Sequence, residues 1–276
     1  MTTQTHRTVT VQDIPIDVTE IGSGTPIVLI HGWSADHRYM IADWEPNFGK
    51  AAPWHRIYFD LPGHGSTPAP DWLTNQTQML DIIRELLKEI LDDKPFALVG
   101  NSYGGYLVLG LVRSMPSKVL GAALIVPDLP DDLNQRLVPQ RITIRENLSF
   151  FDELAADEEW IPAGLVEHYE HSLPEIRRTD MPAYRIANYP FLERLNASYV
   201  LPSEIRSAKN PFNGPSLIAL GHQDATVGYE RQVSLLAEFP RATMCVADLA
   251  GHYLGRVERP KIFSALITDW LERLSR

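Results

Sequence analysis

Cysteine is nearly absent. The 276 residues hold one, Cys245, so no disulfide can close within the chain. It lies in the apolar stretch 242–247, where nothing resembles an activated thiol site, so it reads as a small buried hydrophobe. No apolar run is long enough to span a bilayer. Residues 1–16 lack the apolar core of a secretory signal. These absences lead us to expect a soluble, cytoplasmic protein, in which the Asn-x-Ser/Thr matches at Asn75, Asn147 and Asn196 are chance. Positive charge is short too: 25 Lys and Arg stand against 35 Asp and Glu, a net charge of -10. Nucleic-acid and anionic membrane surfaces call for the opposite balance, so neither partner is expected. His168 and His171 lack an H-E-x-x-H arrangement, so no metal is expected, and no cofactor. Internal repeats and low-complexity segments are also missing.

What is present is a globular composition, 44% hydrophobic and 22% charged. The length suits one domain, or one domain with an insertion. Val9, Val11, Ile14, Ile16 and Val18 alternate with polar residues, as in two short strands ending at the turn Gly22 to Pro26. Six apolar runs follow without alternation, at 27–30, 56–59, 96–99, 121–126, 216–220 and 242–246. Short continuous runs of this kind suit strands buried on both faces of a parallel sheet. Met79, Ile82, Ile83, Leu86, Leu87 and Ile90 carry helical spacing and predict an amphipathic helix over 74–91. Helices are also predicted over 105–115, 229–239 and 261–274. The alternation predicts an α/β fold, a mostly parallel open sheet with helices on both faces. Residues 130–215 break the rhythm with acidic clusters, aromatics and prolines. We therefore expect a core domain of residues 1–130 and 214–276, with an inserted, mainly helical segment over 131–213.

The densest signal is Gly100-Asn101-Ser102-Tyr103-Gly104, between the run 96–99 and a predicted helix. Glycine carries a high entropic cost near regular structure, so a steric reason is expected for its clustering. A sharp strand-to-helix turn supplies one. It lifts the Ser102 hydroxyl above the sheet edge and aims a helix N-terminus at developing negative charge. A serine needs a base to take its proton. His252, on the loop between the last strand and the last helix, is the candidate. Its other ring nitrogen needs a carboxylate. Asp224, after the run 216–220, is the candidate, with Asp128 as rival; Asp248 lies too close to the strand end. An oxyanion needs aimed donors. The N–H groups of Tyr103 and Trp33 are chosen, the latter from the loop His31-Gly32-Trp33-Ser34.

The segments "IVLIHGW", "YFDLPGHGSTPAP", "LVGNSYGGYLVL", "LGHQDATV" and "AGHYLG" resemble the ordered signature of the α/β-hydrolase fold superfamily. The order Ser102, Asp224, His252 is that family's order. The resemblance implies that residues 131–213 form a cap, and that Asp60 and His64 serve the structure of their loop. It implies a serine hydrolase with carboxylesterase-like action on a small or medium acyl substrate, with water as the second reactant. Two alternatives stay open: a carbon–carbon bond hydrolase acting on ring-opened aromatic catabolites, and a non-catalytic ligand-binding protein of the same fold. Phe150, Phe151, Trp160, Tyr169, Tyr184 and Tyr189 are candidate pocket walls. Arg145, Arg177, Arg178 and Arg185 could read a substrate carboxylate, but pairing with nearby acids is the plainer expectation. The oligomeric state is open.

Overall fold

A computed structural model describes residues 3–49, 53–130 and 136–276. Its described strands are β1 (Gln4–Val11), β2 (Ile14–Gly22), β3 (Thr25–Ile30), β4 (Trp54–Phe59), β5 (Phe96–Asn101), β6 (Val119–Ile125), β7 (Ser216–Gly221) and β8 (Ala242–Ala247). They form one eight-stranded sheet in the order β1-β2-β4-β3-β5-β6-β7-β8. The hairpin β1–β2 is antiparallel, as is the pairing of β2 with β4; the other pairings are parallel. Gln12 and Asp13 turn the hairpin with positive φ at both positions, a geometry that matches strand twist.

The unalternating apolar runs are explained by the two covered faces. Val28, Ile30, Leu98, Leu124 and Ile218 belong to one hydrophobic cluster. Their neighbours Ile27, Leu29, Val99, Ile125 and Leu217 belong to the other. Successive side chains point to opposite faces, so a strand buried on both sides must be apolar throughout.

Four helices flank the sheet: α1 (His37–Trp44), α2 (Gln76–Leu91), α3 (Tyr103–Ser114) and, last in the chain, α9 (Pro260–Leu274). Asn75 caps α2 by accepting the Gln78 N–H at 3.1 Å, a contact worth about 1 kcal/mol. Residues Tyr103 to Val112 of α3 are buried on every side. At eight residues, α1 is too short to stand out by periodicity; its start is set by Asp36, which accepts from the Arg38 N–H. The helix predicted over 229–239 is reduced to a 3₁₀ turn at Gln232–Ala237. Here the buried Gln232 amide donates to the carbonyls of Pro127 and Val227, while Val233 and Leu236 face solvent. One polar anchor, rather than an apolar stripe, holds the segment. Cys245 is only half-buried, because β8 is an edge strand.

Between β6 and β7 the described residues hold only short helices: α4 (Ile161–Gly164), α5 (Ser172–Thr179), α6 (Met181–Tyr184), α7 (Tyr189–Asn196) and α8 (Ser203–Arg206), with 3₁₀ turns. Phe151, Ile161, Leu165, Leu173, Ile176 and Met181 form a small hydrophobic cluster together with Val257, which follows β8. It touches the loops at the C-terminal sheet edge: the Asn188 N–H donates to the Gly63 carbonyl.

The glycines around Ser102 have a measurable reason. A Cβ at Gly104 would lie 2.1 Å from the Ile30 carbonyl oxygen, and one at Gly100 would lie 2.3 Å from that of Gly104. Main chain meets main chain here, and neither side can yield. Gly104→Ala should therefore lower stability by more than about 2 kcal/mol, read as a fall in the urea midpoint; an unchanged midpoint would refute the close approach.

Candidate active site

Three loops at the C-terminal edge of the sheet converge. Ser102 follows β5 with φ 53 and ψ -115, a strained backbone for a residue with a Cβ, of a kind that collects at functional sites. Its N–H donates to the Ile125 carbonyl, and its own carbonyl accepts from Tyr106 and Asp128. These bonds hold the turn from both sides. The Ser102 hydroxyl lies 2.9 Å from Nε2 of His252, whose Nδ1 lies 2.8 Å from Oδ2 of Asp224. A carboxylate only accepts, so Nδ1 carries the proton and Nε2 faces the hydroxyl as an acceptor. Asp224 is fully buried, and its other oxygen accepts the N–H groups of Thr226 and Val227.

Burial alone would lower the His252 pKa, but the charge and hydrogen bond of Asp224 outweigh it and hold the imidazole above its ordinary value. A second carboxylate lies behind. Glu258 is buried and accepts the Val166 N–H at 2.9 Å and the Gly251 N–H at 2.7 Å. Burial, reinforced by the charge of Asp224, pushes it up to about 7 despite those two donors.

The loop after β3 completes the floor. Nε2 of His31 accepts the Leu61 N–H, so its Nδ1 is the protonated nitrogen and donates to the Gly32 carbonyl at 2.8 Å. Burial lowers the pKa of His31, favouring this neutral form. The Gly32 carbonyl and the Trp33 N–H share one trans peptide and point opposite ways. Fixing the first therefore fixes the second. The Tyr103 N–H starts α3, where helix donors lack an intrahelical partner. The rings of Trp33 and Tyr103 pack edge to face, with centroids 4.9 Å apart.

Ser102 and His252 open into a cavity of about 370 Å³, also lined by Trp33, Tyr39, Trp160, Tyr184, Tyr189 and Tyr253, among others. Of the aromatics chosen from sequence, Trp160, Tyr184 and Tyr189 reach this cavity. Phe151 instead lies in the small hydrophobic cluster that includes Val257, with Phe150 against it, and Tyr169 stacks on His171. Tyr39 and Tyr253 escaped sequence reasoning, although Tyr253 directly follows His252. The rival acid, Asp128, accepts the Tyr199 hydroxyl and pairs with Arg136. Asp248 is exposed beside Gln223. His168 and His171 hydrogen-bond to the main chain. His64 is buried and pushed down to about 3, first by that burial. Among the described residues, Asp17, His37 and Asp60 have the spacing of a metal site. Asp60, however, already accepts from the N–H groups of His37 and Ser66 and from the His37 ring. Burial raises the pKa of the Cys245 thiol.

A profile of the alpha/beta hydrolase family matches residues 27–266. The chain belongs to this family. A 2-hydroxy-6-oxo-6-(2'-aminophenyl)hexa-2,4-dienoic acid hydrolase of Metapseudomonas resinovorans is 25% identical over 92% of this chain and 86% of its own. A pimeloyl-[acyl-carrier protein] methyl ester esterase of Legionella pneumophila (strain Corby) is 36% identical, over 38% of either chain. That chain's length is thus matched over little more than a third. An alpha/beta superfamily hydrolase from Oenococcus oeni PSU-1 superposes with a TM-score of 0.86 at 25% identity, covering 95% of this chain and 97% of its own. The α/β-hydrolase fold follows. No helix of the described residues is long and apolar enough to cross a membrane.

The raised imidazole gives a signed expectation. Its contribution to stability is complete below the ordinary histidine pKa and is lost as pH rises through the higher folded value. Asp224→Asn should lower the His252 midpoint followed by NMR and flatten stability in that window; an unmoved midpoint would disprove the coupling.

Proposed function

We propose that this protein is a hydrolase, a serine esterase acting on a small or medium acyl substrate, with Ser102, His252 and Asp224 as its catalytic residues. The observation that carries the reading is the hydrogen-bonded series hydroxyl, imidazole, buried carboxylate, opening on a cavity. Oγ of Ser102 attacks the ester carbonyl while Nε2 of His252 takes its proton. Asp224 keeps the imidazole in the correct tautomer and stabilises its cation. The oxyanion is received by the N–H groups of Trp33 and Tyr103; loss of one such donor typically costs about 10²–10³ in turnover. The tetrahedral adduct collapses, the carbonyl–oxygen bond breaks, and His252 protonates the departing alcohol. Water, deprotonated by the same imidazole, then releases the acid and regenerates Ser102. In this reading residues 131–213 form a cap over a core of residues 1–130 and 214–276, and no cofactor takes part.

A second reading keeps the triad and changes the bond broken. The dienoic acid hydrolase relative spans nearly the whole chain, which favours carbon–carbon cleavage of a vinylogous 1,5-diketone.

The test is turnover of a nitrophenyl acyl ester beside that diketone, with a fluorophosphonate probe as a site label. Ser102→Ala and His252→Ala should each lower ester turnover by about 10⁴–10⁶ and abolish labelling. A strong preference for the diketone would transfer the assignment to carbon–carbon hydrolysis. A folded wild type that neither labels nor turns over would leave a ligand-binding protein. Activity retained in Ser102→Ala would reject the nucleophile. The rate should fall as pH drops through the raised His252 value, because only neutral imidazole accepts a proton.

A further inference from the structure

The cavity lining has an unusual charge pattern. Among the described residues no Asp or Glu lines it, although the chain carries 35. Asp224 and Glu258 both sit behind the His252 loop. Apart from the imidazole, the described lining residues include one cationic side chain, Arg141.

Arginines elsewhere in the overlying segment are taken up by acids. Arg145 pairs with Glu167, Arg177 with Glu158, Arg178 with Glu175 and Arg185 with Asp157. Arg136 pairs with Asp128. Among the described residues no carboxylate pairs with Arg141; its Nη1 makes only a long 3.4 Å contact with the Ala163 carbonyl. The Arg141 side chain is solvent-exposed, so its guanidinium is available to an incoming anion.

Its surroundings trace a path from the reacting centre. Tyr253 adjoins His252, and its ring stacks on Trp160 with centroids 6.0 Å apart. A Cβ at Gly164 would touch the Trp160 ring at 3.1 Å and lie 4.0 Å from Nη1 of Arg141. The route is apolar ring surface for most of its length, with the Tyr184 and Tyr253 hydroxyls bonded to each other at 3.1 Å. A neutral, apolar linker fits the walls, and an anion fits the far end. Arginine's planar fork matches a carboxylate through two parallel hydrogen bonds.

We propose that Arg141 is a specificity residue that binds a carboxylate carried by the substrate at the end remote from the scissile ester. The proposal rests on the serine esterase reading and narrows its substrate to the half-ester of a dicarboxylic acid or a close analogue. The surface charge of the protein opposes anions in bulk, so selection depends on this one local cation.

The experiment uses monomethyl esters of linear dicarboxylic acids of graded length, each beside the neutral ester in which an amide replaces the carboxylate. Wild type should prefer the acid over the amide by about tenfold or more in kcat/KM at the best length. Arg141→Gln should remove that preference, chiefly through KM, and Arg141→Lys should restore part of it. Raising the salt concentration should weaken the preference in wild type. A second measurement separates the two readings: calorimetric binding of the half-acid and its amide to Ser102→Ala, with and without Arg141→Gln. Arg141-dependent binding without wild-type turnover would reject the esterase and retain the carboxylate site. A preference under about threefold in both assays, or one that survives Arg141→Gln, would overturn the proposal.

Discussion

Everything around Ser102 depends on how closely main chain approaches main chain at the end of β5. A side chain at position 104 would run into the Ile30 carbonyl, and one at position 100 into the main chain of Gly104. The three parallel strands β3, β5 and β6 are hydrogen-bonded in register just below. Their ends are therefore held in a fixed relation before any polar side chain is considered. Ser102 takes a strained conformation because the strand must reverse into α3 within that close approach. The strain, of order 1–3 kcal/mol for such a backbone, is sustained by an α3 that is buried on every side.

Charge is distributed in layers around this centre. Nearest the cavity are neutral or basic groups: hydroxyls, the imidazole and one guanidinium. The carboxylates lie one layer back, each tied to main-chain donors. Asp224 accepts two N–H groups besides the imidazole, and Glu258 accepts two of its own. Further out, Arg256 is nearly buried between Asp43 of α1 and Asp180 at the end of α5, over the face of Tyr39. It joins the core, the overlying segment and a cavity-lining ring in one contact set. Buried ion pairs contribute little net stability but make a broken partner costly, so this set fixes geometry more than it adds energy.

The parts legible in the sequence share a physical origin. Strands β3 to β7 followed from apolar runs because both sheet faces are covered there, leaving no polar side to blur the signal; β8 gave the same run although, at the sheet edge, it is only half-buried. Ser102, Asp224 and His252 could be placed at one edge because each follows a strand in a parallel sheet, and such strands end on the same side. The loop roles of Asp60 and His64 were implied by family likeness. Tyr39 and Arg141 were not legible. Tyr39 belongs to a helix of two turns, and Arg141 to a stretch without regular structure; neither has a period or a motif to mark it. The turn at 232–237 misled because its apolar residues imitate helical spacing while two of them face solvent. In each case the deciding contact is long-range: Gln232 to Pro127, Arg141 to Ala163, Tyr39 to Arg256.

Glu258 has a mechanical consequence. One of its oxygens holds Val166 in the segment above the cavity, and the other holds Gly251, next to His252. One carboxylate therefore ties the overlying segment to the backbone beside His252. Lifting that segment at residue 166 strips that carboxylate of a donor in a site where its ionised form is already disfavoured, and slackens the backbone beside the imidazole. Displacing residue 166 and displacing residue 251 therefore draw on the same carboxylate.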